Sequence, residues 1–402
     1  MRFLHAADLH LGLSVTRFGV KNGEIQEARF TSLRKLIEAS KQHRVDSLLI
    51  AGDLFDDNHV DFGTARRTLE LFESADAPVY VIPGNHDPWT ADSVYQRPPW
   101  STCADGPVRV LHRHEPVPIA DGILYPCPLF AKNSLDDPAR WIPPRKPGDT
   151  TIRIGLAHGS FHDRATLHPD DHLIDRHTVD AKGLDYLALG HWHRYYEAVD
   201  QAGIVRTVYP GAHEPWGFHE APDVSVGWSA YSNAARELFT GDGMGRALLV
   251  TIDRAGAAPT IEPINTASLQ WRDETRTLQS RDDLDRLIND LDRRDDKHNQ
   301  VLRLHLVGTL PAEEMLRLDT LDATRSGHQG GILSHYRWFE LDTSRLYAEP
   351  TDDELHELAG EGVVRAVYDR LKAEANSPDL AVRDLAQQSL LLLYRFAKEA
   401  RR

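Results

Sequence analysis

The sequence predicts a layered α/β domain followed by a smaller α+β module and a C-terminal helical segment, and three observations predict it. Over the first ninety residues, short apolar runs alternate with helix-length stretches in a β-α-β-α-β order, the signature of layered α/β architecture. Past residue 100 the pattern becomes strand-rich. Near residue 270 it changes again, to a charged helical stretch and isolated alternating runs. A chain of 402 residues is also too long for one ordinary core.

The elements follow in order. Residues 2–8 (RFLHAAD) form a short buried strand. A helix spans roughly 24–43, with Phe30, Leu33, Leu36 and Ile37 on its apolar face. A second strand covers 47–50 and ends in Ala51-Gly52-Asp53. A second helix covers about 63–74, and a third strand, 78–82, runs into Pro83-Gly84-Asn85-His86-Asp87. Further strands are expected at 108–111, 123–125, 152–157, 186–189, 205–209 and 247–252. The segment 131–150 carries Pro138, Pro143, Pro144 and Pro147 and reads as a surface loop. Beyond a boundary at 270, residues 281–293 form a helix, 301–307 a half-buried strand, 312–322 a helix and 334–342 a strand. From Asp352 the chain reads as helical, interrupted at Gly360 and Gly362 and restarted at Ser377-Pro378-Asp379. The expected divisions are 1–270, 271–350 and 351–402.

Bulk composition narrows the class. Hydrophobic residues are 41% and charged residues 27%, as in an ordinary globular protein. No run approaches the roughly 20 apolar residues that cross a membrane. Asp8 and His10 interrupt the first apolar run, which excludes a signal peptide there. Cys103 and Cys127 cannot build a disulfide framework, so a reducing, cytoplasmic setting is expected. A net charge of -15 argues against gripping nucleic acid by bulk electrostatics. It leaves open a protein whose bound metals supply local positive charge to a phosphate. The 21 histidines keep metal ligation in view.

Five short segments carry the chemistry: Asp8-Leu9-His10, Gly52-Asp53, Gly84-Asn85-His86-Asp87, Ala157-His158-Gly159 and Gly190-His191-Trp192-His193. Each follows an apolar run, and strand ends converge on one edge of a sheet. Asp8 and His10 can aim at one ion, and His191 and His193 at one ion or at two neighbours. Asp53 can bridge a metal pair, and Asn85 offers a neutral carbonyl oxygen. Mixed imidazole, carboxylate and carbonyl donors suit Mn, Fe, Zn or Co better than Mg or Ca. Two such ions about 4 Å apart suit in-line attack on phosphorus. His86, beside Asn85, is the candidate to contact the phosphate and protonate the leaving oxygen. Asp87 is the candidate to orient His86. Taken singly, an Asp-x-His or a Gly-Asp after a strand is usually just a turn. The force lies in all five occurring in order, each at a strand end.

This ordered set resembles the calcineurin-like metallophosphoesterase superfamily, and more narrowly the bacterial SbcD-type DNA-repair nucleases, relatives of the nuclease component in archaeal and eukaryotic double-strand-break repair complexes. The cues are "FLHAADLHLG", "LLIAGDLFD", "VIPGNHD", "GLAHGS", "YLALGHWHR" and "VYPGA", spread over about residues 1–265. The resemblance implies a two-sheet α/β/β/α metallophosphoesterase sandwich with a smaller α+β cap. It implies that Asp8, His10, Asp53 and His193 hold one metal ion and Asp53, Asn85, His158 and His191 the other. It implies manganese as the activating ion, and His86 as the leaving-group histidine. Exonuclease action on DNA, with single-strand nicking, is also implied. So are a coiled-coil ATPase partner of the SbcC kind bound at the C-terminal part, and a homodimer. Two positions depart from the wider pattern: Asp56, where archaeal and eukaryotic members commonly carry histidine, and Gly211-Ala212, where serine or asparagine commonly follows "YPG".

Other residues carry weaker readings. His213, Trp216 and His219 can meet a DNA end, though ordinary loop residues explain them too. His162, His168, His172 and His177 lie in a polar insert that is either a lid or a solvated loop. Leu390 to Leu393 with Tyr394 and Phe396 exceeds one helical face, and either packs internally or docks a partner helix. The competing functions are a phosphodiesterase of cyclic or small nucleotides and a non-catalytic scaffold. A protein phosphatase fits less well, because that branch typically reads Gly-Asn-His-Glu where this chain has Asp87.

Overall fold

The structure is a computed structural model that describes residues 1–14, 22–103, 106–162, 171–215, 217–218, 243–323, 329–349 and 362–400. Trp216, His219, His168, Gly360 and the side chain of His162 lie outside the described residues. The chain divides into two compact units, Met1–Gln270 and Trp271–Arg402.

The first unit holds two six-stranded sheets. One contains β1 (Arg2–Ala6), β2 (Ser47–Ala51), β3 (Val79–Ile82) and β4 (Val108–Val110), all parallel, extended by the antiparallel β13 (Arg246–Thr251) and β14 (Thr260–Asn265). Its order is β14-β13-β1-β2-β3-β4. The other contains β5 (Val117–Ile119), β6 (Gly122–Cys127), β7 (Ile152–His158), β10 (Tyr186–Gly190), β11 (Tyr196–Val199) and β12 (Val205–Tyr209), in the order β11-β12-β10-β7-β6-β5. Its four inner strands are parallel and its two edges antiparallel. A minor pair, β8 (Phe161–His162) and β9 (Ile174–Asp175), brackets the polar insert.

The strands read as unbroken apolar runs because both faces of each sheet are covered. On β2 the alternation is direct. Leu48 and Ile50 join Leu33, Leu36 and Phe72 of helices α1 (Asn22–Gln42) and α2 (Phe62–Glu73). Leu49 and Ala51 face the opposite way and pack with Leu124, Ile154, Leu156 and Tyr186 of the second sheet. That sheet's outer face packs Leu187, Leu189 and Tyr209 with Val179 of α3 (Thr178–Lys182). The result is a mixed α/β, two-sheet metallophosphoesterase-type sandwich, as the sequence led us to expect. Strands β5, β11 and β14 are edges; β5 has only three residues, and partly exposed polar residues in β11 and β14 hide those two in the sequence.

The second unit is built on a three-stranded sheet of β15 (Gln270–Leu278), β16 (Gln300–Leu310) and β17 (Trp338–Ala348), with β16 central. Helix α4 (Arg281–Arg293) buries Leu284, Leu287 and Leu291 with Leu302, Leu304 and Leu306. The expected helix at 312–322 is a short α5 (Ala312–Leu316) followed by a 3-10 turn, and the expected strand at 334–342 starts later, after a 3-10 turn at Ile332–His335. Helices α6 (Val363–Glu374) and α7 (Leu380–Ala400) follow. Leu390 and Tyr394 are buried with Tyr368, while Leu392 and Phe396 are exposed. Among the described residues no helix is long and apolar enough to cross a membrane.

Candidate metal centre

Every residue singled out in the five segments stands at the carboxyl edge of a strand. Asp8 and His10 follow β1, Asp53 follows β2, Asn85, His86 and Asp87 follow β3, His158 ends β7, and His191 and His193 follow β10. The edges of both sheets therefore supply one site.

Backbone bonds hold these exits together. Beyond the sheet proper, Asp8 N–H donates to Gly52 O (3.2 Å), His10 N–H to Asp53 O (3.0 Å) and Leu11 N–H to Leu54 O (2.9 Å). Asp8 crosses to the second sheet by accepting from the backbone N–H of His191 at 2.9 Å. Four of the seven expected ligands sit at positive φ: Asp8 (54°), His10 (44°), Asp53 (51°) and His191 (107°). Non-glycine residues adopt this region at a cost, and such strain concentrates at functional sites. Gly52 and Gly84 give the side chains room. A Cβ on Gly52 (φ 85°) would lie 2.3 Å from His158 Nδ1, and one on Gly84 would lie 2.2 Å from Asp53 Oδ1.

The side chains converge in overlapping groups. Ligand atoms of Asp8, His10 and His193 lie within 4.8 Å of one another, as do those of Asp8, Asp53 and His158, and of His10, Asp53 and His86. His10 Nε2 is 3.1 Å from His193 Nε2. Asn85 Oδ1 is 2.8 Å from His158 Nε2 and 2.9 Å from His191 Nδ1. Asp53 Oδ2 is 3.3 Å from His158 Nε2 and 3.8 Å from His10 Nε2.

These separations fit donors sharing an ion. Nitrogen and oxygen atoms each bound at roughly 2.0–2.2 Å to one cation lie roughly 3 Å apart. The chemistry fits as well. His191 gives its Nε2–H to Asp171 Oδ1 at 2.9 Å, so its Nδ1 presents a lone pair toward the carbonyl oxygen of Asn85. Two apposed lone pairs are relieved by a cation between them. His158 gives Nδ1–H to Ala51 O at 2.8 Å, which aims Nε2 at Asn85 and Asp53. His10 Nδ1 lies 3.3 Å from Asp56 Oδ1, which likewise turns Nε2 inward. Each of these three histidines is thus oriented from behind through its other nitrogen, the usual support for a ligating imidazole. The residues present fit a dinuclear divalent centre.

The electrostatics agree. Burial lifts Asp8 to about 7, helped by the Asp53 charge and opposed by His158. Burial also works against ionised Asp53, but His158, His10 and His86 outweigh it and hold this carboxyl well below the usual range. Burial disfavours the His158 imidazolium, yet Asp53 and Asp8 prevail and raise it to about 9. His193 is pushed down to about 2 by burial and by the neighbouring His10. A buried field that favours positive charge at one point and tolerates neutral imidazoles nearby suits cations.

His86 stands at the mouth. Its backbone N–H donates to Asp53 Oδ1 (2.9 Å), and its ring packs edge-on against His10 at 4.8 Å between centroids. Its Nδ1–H donates to the backbone carbonyl of Asp56 at 2.8 Å, leaving Nε2 as the working atom. Here the sequence reading needs correction, for Asp87 is not the group that orients His86. The Asp87 carboxylate accepts from Phe55 N–H (3.0 Å), Gly84 N–H (2.8 Å) and Tyr95 O–H (2.5 Å). It ties the exit of β3 to that of β2 and is wholly buried. Of the two readings of His213 the structure excludes contact with a DNA end, because the residue is fully buried with Nε2 at 3.1 Å from Arg29 O. Neighbouring Glu214 accepts from Ser268 N–H (2.6 Å) and Leu269 N–H (3.2 Å). His172 is buried and bonded to Lys132 O at 3.1 Å, whereas His177 is exposed.

Sequence reasoning missed Asp56 as the orienting residue for His86 and Asp171 as the partner of His191. The Asp56 contact uses a backbone carbonyl, which any residue carries. Asp171 is one carboxylate in a polar insert without periodicity.

Residues 1–195 match the family model described as calcineurin-like phosphoesterase. The chain is 28% identical over 233 residues to a Bacillus subtilis protein named "Uncharacterized metallophosphoesterase YhaO", covering 52% of each chain. It is 27% identical over 245 residues to the "DNA double-strand break repair protein Mre11" of Methanopyrus kandleri, covering 56% of this chain and 51% of that one. A shorter match, 34% over 91 residues, is to a component of the SbcCD nuclease of Escherichia coli, covering 22% and 21%. The chain thus spans about half the length of the first two of these relatives.

Proposed function

Through residues 1–195 the chain belongs to the calcineurin-like phosphoesterases, metal-dependent hydrolases with a dinuclear divalent centre, and on that premise we propose that it is a DNA nuclease cleaving phosphodiester bonds. The observation that supports the reading is the placement of His86, with Nε2 at the mouth, while Asp8, His10, Asp53, His158 and His193 cluster inside and Asn85 and His191 meet them. The names of the relatives that match over this region, a double-strand-break repair protein and a nuclease component, support DNA as the substrate.

Two bound divalent ions would supply charge neutralisation on the phosphate and a nucleophile at neutral pH. Asp8, His10, Asp53 and His193 would hold one, and Asp53, Asn85, His158 and His191 the other, with manganese as the activating ion. The chain's own groups do the rest. The Asp56 carbonyl keeps Nδ1–H of His86 engaged, so this ring gives and takes its proton at Nε2, where a leaving oxygen departs. Exonuclease action with single-strand nicking, a coiled-coil ATPase partner of the SbcC kind, a homodimer and a cytoplasmic setting complete the proposal.

The net charge of -15 favours a second reading, a phosphodiesterase of cyclic or small nucleotides, which would use the same ligands. Linear duplex DNA, circular single-stranded DNA and cyclic nucleotides, assayed side by side with Mn²⁺, separate the two. Degradation of DNA with cyclic nucleotides left intact is the expected result. Turnover of cyclic nucleotides with both DNAs untouched overturns the nuclease.

A further inference from the structure

A closed hydrogen-bond circuit lies behind the ligand turn at 190–193. Trp192 donates Nε1–H to Ser160 Oγ at 3.0 Å. Ser160 donates its hydroxyl to Asp171 Oδ2, and the other oxygen of Asp171 accepts Nε2–H of His191 at 2.9 Å. His191 and Trp192 are neighbours in the chain, so the circuit returns to its start.

Each member is fixed from outside the circuit. The indole of Trp192 stacks on Tyr209, centroids 4.6 Å apart and planes within 13°. Tyr209 O–H donates to Gly159 O at 2.6 Å and accepts from Phe161 N–H at 2.8 Å. Asp171 is pinned through its backbone, because its carbonyl accepts from Ser160 N–H at 3.2 Å and it bridges Ser134. Next to it, His172 N–H donates to Ser134 O at 3.2 Å. The carboxylate is therefore held in place by backbone contacts to Ser160 and Ser134 and not by the imidazole alone.

We propose that Asp171 is a positioning residue of the metal centre: it fixes the tautomer and orientation of His191, so that Nδ1 is the ligand atom, and through Ser160 it steadies the turn that also carries His193. A neutral imidazole exposes one lone pair, and an acceptor on the opposite nitrogen decides which. Without a carboxylate at Nε2, His191 can place its proton on Nδ1 and point a donor at the site. The φ of 107° at His191 makes external support the more necessary, since an L-residue does not rest there unaided. Asp171, just ahead of β9, thereby joins the residues that support the metal centre.

The inference rests on the two-metal reading and is tested apart from catalysis. Full-length wild type, Asp171→Ala and Asp171→Asn are stripped with chelator and titrated with Mn²⁺ by calorimetry, with circular dichroism and metal-free melting as controls. Removal of such a partner costs about 10- to 100-fold in metal affinity. The expected result is that Asp171→Ala weakens one of two ions by that factor, the other staying near its wild-type affinity and the metal-free melting temperature holding. Asp171→Asn keeps an acceptor oxygen of the same shape and should fall between; it also serves if the alanine variant fails to fold. Two ions bound by both variants with wild-type affinity overturn the role of Asp171 and leave the metal centre standing. A wild type that binds no Mn²⁺ overturns both.

Discussion

His10 Nε2 and His193 Nε2 lie 3.1 Å apart although 183 positions separate the two residues in the chain. Two ring nitrogens at this distance share a proton or a cation. Burial keeps both rings short of protons, so a cation is the better occupant. His193→Ala should therefore reduce the Mn²⁺ stoichiometry from two toward one in a calorimetric titration, with DNA cleavage falling to background. An unchanged stoichiometry would remove His193 from the ligand set.

His86 should separate chemistry from metal binding. In His86→Ala the rate constant should fall about 10²- to 10⁴-fold, as when a positioned acid is lost, while both ions still bind. The loss should shrink on a substrate with a nitrophenolate leaving group, which needs no proton. An equal loss on both substrates would argue against the leaving-group role.

Asp87 should behave as a structural residue. Its removal leaves Phe55 N–H, Gly84 N–H and Tyr95 O–H without their buried acceptor, at roughly 1–3 kcal/mol for each donor left unpaired. Burial and the Asp53 charge already raise the Asp87 carboxyl to about 6, so its ionised form is not free of cost. Urea unfolding should show Asp87→Ala strongly destabilised and Asp87→Asn less so. A fully stable alanine variant would contradict the assigned part.

Gly52→Ala tests the packing beneath the ligands. The new methyl group would overlap the His158 ring, and the φ of 85° disfavours any side chain by roughly 1–2 kcal/mol. Loss of Mn²⁺ affinity together with a lowered melting temperature is expected. Wild-type affinity in this variant would mean that His158 has freedom to move.

Two buried histidines outside the centre set a pH dependence of stability. His5 is neutral between Tyr186 O–H (3.1 Å) and Leu189 O (3.2 Å), and burial lowers it to about 3. Burial, reinforced by Arg29, lowers His213 to about 3 as well. Unfolded, each takes up its proton near the ordinary value of about 6.5. Between these limits the unfolded chain binds more protons, so stability is full above about pH 6.5 and declines as the pH falls toward 3. The slope approaches about 1.4 kcal/mol per pH unit for each histidine. His5→Gln should flatten this limb in urea titrations at successive pH values; an identical limb would exclude His5.

What was legible in the sequence follows from how the site is made. Asp8, Asp53, Asn85, His158 and His191 each end an apolar run, and β strands buried on both faces announce their own ends. The same physics showed Ser47 to Ile50 as a strand. It failed for β15, whose charged Arg272, Asp273 and Glu274 mask a half-exposed strand. Asp87 misled because adjacency to His86 suggested contact, whereas the turn after β3 sends the two side chains to different partners. Asp171 left no signal, since its place depends on tertiary contacts with Ser160, Ser134 and His191.

The pairing of β1 with Arg246–Thr251 sets a lower limit on how small a working fragment can be. A polypeptide cut at residue 195 would lose that neighbour, and with it Val205–Tyr209 beside β10. It would expose two open strand borders, the kind that stick to one another and to other chains. A truncation at 270 keeps both sheets whole, so limited proteolysis should yield a soluble piece near that length and none near the shorter one.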